Sequence, residues 1–107
     1  MVESTIVTIV QDYLVKARQS GIRISKAILF GSHARGVAGA DSDLDVVVIC
    51  LDFNETTAHE ITNKLWMLRT QTDWRIEPVP IGQMEWHAGG GGVIADIARR
   101  DGVVISI

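Results

Sequence analysis

The chain has 107 residues, 47% hydrophobic and 21% charged, with a formal net charge of -3, which fits one small soluble domain with one core and excludes a disordered segment. No apolar run nears the ~20 residues of a membrane span, and the N-terminus lacks the basic flank and cleavage site of a signal peptide, so a cytoplasmic protein is expected. With no Lys/Arg cluster, strong nucleic-acid binding is not expected either, and any bound phosphates should be few.

Ile6, Val10, Tyr13 or Leu14, and Ala17 recur at helical spacing before Gly21, which predicts a first helix from about Thr5 to Gln19. Two short apolar runs follow, Lys26 to Phe30 and Leu44 to Leu51, both read as buried strands. Cys50 closes the second; as the only cysteine it forms no internal disulfide, and a buried structural thiol is expected. Asp52 and Glu55 have the spacing of a capping box, after which Ala58, Ile61, Leu65 and Leu68 mark one face of a second long helix. Trp74 to Val79 reads as a third strand, which should lie near a sheet edge or end soon after, because Pro78 cannot donate to a ladder. Gly89 to Gly92 is read as a flexible loop. A short helix through Val93, Ile94, Ile97 and Ala98 and a last strand, Val103 to Ile107, complete the order α-β-loop-β-α-β-α-β. The expected architecture is α/β (α+β), with helices packed mainly on one face of a small sheet and the other face partly free for a site.

The stretch GSHARGVAGADSDLD, residues 31–45, carries the chemistry. Asp43 and Asp45 flank Leu44, and the two-residue period of a strand sends both carboxylates to one face. Left bare they repel each other; a hard divalent cation such as Mg²⁺ removes that penalty and favours carboxylate and phosphate oxygens. Gly31 and Ser32 follow directly on a strand, where backbone N–H groups and a hydroxyl can meet a phosphate. A third carboxylate on the neighbouring strand would complete a two-metal arrangement and could accept a proton from an attacking hydroxyl. Asp73 and Glu77 are the candidates; Glu77 is preferred because strand alternation holds it on the free face, whereas Asp73 falls in a turn.

GSHARG followed by DSDLDVVV resembles the DNA polymerase beta-type nucleotidyltransferase superfamily, and within it the minimal nucleotidyltransferases, the MNT-type proteins often found as antitoxins paired with HEPN partners. The likeness extends to the leading helix and to the closing IARRDGVVI segment. It implies a nucleotidyltransferase-like small mixed sheet and transfer of a nucleoside monophosphate from an NTP, ATP being the expected one, to an acceptor hydroxyl. Gly31 and Ser32 would lie at the triphosphate, and Asp43 and Asp45 would be Mg²⁺ ligands. Where the superfamily carries a third aspartate, this chain offers Glu77. With no added substrate domain, a partner such as a HEPN-type toxin, or a homo-oligomer, would present the acceptor. The rival expectations are a non-catalytic, antitoxin-like binding module that retains the fold, and a nucleotide sensor without turnover.

Arg35 is assigned to phosphate binding, with an ion pair to Asp41 or Asp43 as the equal alternative. Ser42 is read equally as bonding its neighbouring backbone or contacting nucleotide, and His33, which could reach a triphosphate, is read as an incidental loop residue. His59 and His87 show no zinc spacing. Trp66 and Met67 lie beside the helical core stripe and are read as a core rim or a partner patch, and Trp86 as packing against the sheet end or stacking on a base.

Overall fold

In the computed structural model, which describes residues 2–39 and 41–107, helix α1 (Ser4–Gln19) buries Ile6, Val10, Tyr13, Leu14 and Ala17, the stripe its periodicity predicts. Strands β1 (Ile24–Phe30) and β2 (Leu44–Cys50) follow, then α2 (Ala58–Leu68) with a 3₁₀ turn at Arg69–Gln71. Strand β3 (Ile76–Gly82), the short α3 (Gln83–His87), α4 (Gly92–Asp101) and β4 (Val103–Ile105) complete the chain. The four strands form one mixed sheet in the order β3-β2-β1-β4. β1 is antiparallel to β2 and to β4, whereas β2 and β3 run parallel.

The two long helices share one face. There Ala27, Leu29, Leu44, Val46, Val48 and Ile76 meet Val10, Leu14, Ile61 and Leu65. Strand alternation sends Ile28, Phe30, Val47, Ile49 and Ile81 to the other face, where Ala95 and Ala98 of α4 and the flank of Trp86 cover part of it. That face stays open toward the start of β2 and β3. Cys50 is fully buried, and burial pushes its thiol up to about 12, so it acts as a small apolar residue.

Three details differ from the sequence reading. The capping box does not form: Asp52 forms an ion pair with Arg23, and the entry to α2 is built by Asn54, whose Oδ1 accepts from Thr56 N at 2.8 Å and Thr57 N at 3.1 Å. Strand β3 begins two residues later than expected and runs on to Gly82, because Asp73 folds the preceding residues into a turn, its Oδ1 accepting from Arg75 N at 2.9 Å. The glycine run is a tied turn. Arg99 Nη2 donates to the carbonyls of Trp86 at 2.9 Å and Gly90 at 2.6 Å, and its guanidinium lies 4.3 Å from the Trp86 ring centroid. The expected edge placement of β3 is met, with Pro78 and Pro80 both on it.

Tyr13 joins the two long helices. It is fully buried, and its hydroxyl donates to the carbonyl of Leu65 at 2.6 Å. Leu65 lies in the last turn of α2, where carbonyls lose their regular helical acceptors' role, so the hydroxyl serves as a cap from a neighbouring helix. Tyr13→Phe should therefore lower unfolding free energy by about 1 kcal/mol, and at most about 3 kcal/mol if the carbonyl finds no other donor. Urea denaturation checks this; an unchanged midpoint would show that the hydroxyl contributes nothing to holding α2.

Candidate functional site

The end of β1 and the starts of β2 and β3 meet at one end of the sheet. In the ladder, Asp45 pairs with Phe30 on one side and with Glu77 on the other. Asp45 and Glu77 thus stand on neighbouring strands at the same level, on the face that carries Val47, Ile49 and Ile81. Asp43 lies two residues before Asp45, just ahead of the strand.

Electrostatics record the crowding. Burial holds the Asp45 carboxyl above its ordinary range, the Asp43 charge raises it further, and His33 partly offsets both. Glu77 is raised by burial first and then by Asp43 and Asp45, with Arg69 opposing. Among the described residues none of these three carboxylates forms an ion pair. Nor do three carboxylate, imidazole or thiol groups among them close in as a ready-made metal cage. The donor set still fits Mg²⁺, which prefers hard oxygens and is bound by one or two carboxylates, with waters and substrate phosphates completing its shell.

Gly31 follows β1 with φ of 76°, a conformation open to glycine at little cost. Its Cα faces Asp45 so closely that an added methyl group would overlap the carboxylate. Beyond it the chain turns helically: Arg35 N donates to Gly31 O at 3.2 Å and Val37 N to Ser32 O at 3.1 Å. The first N–H groups of such a turn lack acceptors within it and present partial positive charge beside the carboxylates. Ser42 Oγ accepts from Gly39 N at 2.9 Å, as expected for a residue that bonds its neighbouring backbone. Beside this loop opens a cleft of about 360 Å³, bordered by Glu3 and Ile6 of α1, by His33 and Gly39, and by Arg75.

The structure sorts the remaining candidates. Asp73 is engaged by Arg75, whose Nη2 lies 2.9 Å from its Oδ2, and this bidentate pairing lowers the Asp73 carboxyl. Arg35 is exposed and, among the described residues, forms no ion pair with Asp41 or Asp43; the arginine that feels Asp41 is Arg75. His33 is not incidental: its Nε2 lies 3.2 Å from Ser42 O, a pairing that puts the proton on Nε2 and ties the start of the loop to its end. Arg69 went unread in the sequence. It lies 4.5 Å from the centroid of Trp66, donates to the Trp74 carbonyl, and its charge reaches Glu77. No spacing signal marks it, because its partners come from a helix and a turn brought together only by folding.

The fold has known counterparts. A structure from Sulfolobus solfataricus, proposed to be a nucleotidyltransferase, superposes with a TM-score of 0.63 at 15% identity, covering 94% of this chain and 78% of its own. A toxin-antitoxin structure with AMP-PNP gives a TM-score of 0.55 at 20% identity, covering 89% and 71% respectively. A mutant of the toxin-antitoxin pair MntA-HpeT gives 0.54 at 18% identity with the same coverage. At these identities the likeness speaks for the fold. No curated protein matches the sequence. The family model for the nucleotidyltransferase domain matches residues 12–97, from within α1 through α4, and the chain belongs to that family.

Proposed function

We propose that this chain is a Mg²⁺-dependent transferase that moves a nucleoside monophosphate from an NTP, with ATP the first choice, to a hydroxyl on an acceptor. The observation that carries this reading is the level pairing of Asp45 with Glu77 beside the glycine turn. Asp43, Asp45 and Glu77 would hold Mg²⁺, which when bound neutralises phosphate charge and eases loss of the acceptor's proton. Gly31 lets the backbone approach the phosphates, and Ser32 and the N–H groups after it donate to phosphate oxygens. Arg35, exposed at the same turn, adds a charge within reach of a triphosphate. The acceptor oxygen attacks the α-phosphorus, the bond to the bridging oxygen breaks, and pyrophosphate leaves on the loop side. The acceptor's proton goes to a carboxylate of the site, with Glu77, level with Asp45 on the neighbouring strand, the first choice.

A second reading rests on its own observation. Met67 is 71% exposed, Trp74 66% and Trp66 39%, and all three lie at or beyond the C-terminal end of α2. Such a surface suits a partner protein, and a HEPN-type toxin would either be the acceptor or be covered by an inactive module.

Calorimetry with ATP and GTP, with and without Mg²⁺, separates these readings. Saturable binding that requires Mg²⁺ and is lost in Asp45→Asn is the expected result; binding that ignores both would sink the transferase reading. The same variant should be more stable than the wild type. Because the fold raises the Asp45 pKa, its ionisation opposes folding, and that loss sets in as pH rises through the folded value. At pH 7, Asp45→Asn should therefore melt a few degrees higher, and the gap should close below the usual carboxylate range. A lower melting temperature at pH 7 would refute the argument that burial and the Asp43 charge penalise ionised Asp45.

Gly31→Ala tests the loop. Its left-handed φ and the overlap with Asp45 should destabilise the fold by roughly 1–3 kcal/mol and abolish Mg-nucleotide binding in the population that remains folded. Wild-type binding in that variant would show that the close approach of Gly31 to the carboxylate is dispensable.

A further inference from the structure

A groove of about 450 Å³ lies at the other end of the sheet, between the start of α3 and the turn leading into α2. Its walls are the exposed Leu51 and Met84, the half-buried Phe53, and the side chains of Gln83, Glu55 and Glu85. β2 separates it from Asp45 by six residue steps, on the order of 20 Å, so an occupant would leave the carboxylate site accessible.

We infer that this groove docks a peptide segment of a partner protein, one carrying an apolar side chain between basic residues. Two observations on the groove converge. Its walls are mainly apolar, and Met84, 88% exposed on the rim, is the flexible residue type that adapts to a partner. Both ionisable groups on it are carboxylates, Glu55 and Glu85, and no lysine or arginine lines it among the described residues, so a basic flank is complementary. The inference does not depend on the transferase reading.

Panning a random linear heptapeptide display library on the full chain tests it, with Glu55→Lys/Glu85→Lys as the counter-target. The expected yield is sequences with Leu, Met or Phe flanked by Lys or Arg, whose synthetic forms bind the double variant at least about tenfold more weakly in fluorescence anisotropy. Met84→Ser, an exposed change that leaves the core untouched, should also weaken them, with both variants keeping the wild-type circular dichroism and Mg-nucleotide behaviour. No enrichment, enrichment of acidic sequences, or equal binding to the double variant would overturn the proposal. A concentration-dependent dimer of the wild type that Met84→Ser abolishes would overturn it too, by assigning the groove to a second copy.

Discussion

Strand β2 is hydrogen-bonded on both sides, and the directions of its neighbours decide where everything at the site falls. β1 is antiparallel to it and so ends where β2 begins; β3 is parallel and so begins there as well. The glycine turn, the aspartate pair and the third carboxylate are brought together by these two pairings, although 46 residues separate Gly31 from Glu77. Had β3 run the other way, Glu77 would lie at the far end of the sheet. The parallel direction needs a crossover connection, which α2 supplies by carrying the chain back along the sheet. The hydroxyl of Tyr13, bonded to the last turn of α2, and the hold of Arg69 on the Trp74 carbonyl fasten that crossover near the point where β3 is launched.

The body of the domain carries little internal conflict. Its fully buried side chains are apolar apart from the bonded phenol of Tyr13 and the thiol of Cys50, and the strand from Val46 to Cys50 is sealed on both faces. Conflict is concentrated at the site, where three carboxylates share a partly desolvated corner and, among the described residues, none is ion-paired. Such a corner is poor design for stability and good design for a cation with phosphates attached.

Much of this was legible in the sequence. The stripe of α1, the β-branched run of β2 and the alternation that turns Glu77 toward Asp45 are local periodicities, and each is found in the structure. Asp73 could be set aside on similar grounds, and the ion pair with Arg75 is the physical form of that turn. The arginines were not legible. Arg99 gathers carbonyls from Trp86, Gly89 and Gly90, and Arg69 bridges Trp66 and Trp74; long flexible side chains reach partners that no period encodes. A run of glycines reads as slack in a sequence, yet here it is a turn clasped by a guanidinium. The Asp52–Glu55 spacing failed in the converse manner: the motif was present, and Arg23, 29 positions away in the chain and adjacent in space, took the aspartate.

The two prolines of β3 carry a consequence for how another chain can approach. Because Arg75 O accepts from Leu44 N, odd-numbered residues of β3 direct their backbone groups to β2, and Pro78 and Pro80 face the outer edge. That rim is therefore missing two donors in a row, and an incoming chain cannot zip onto it as a fifth strand. Whatever polypeptide reaches Glu77 must be read by side chains across the open face, so its recognition depends on shape and charge there and not on a generic backbone ladder. The same feature keeps the margin nearest the carboxylates from sticking to other unfolded chains during synthesis.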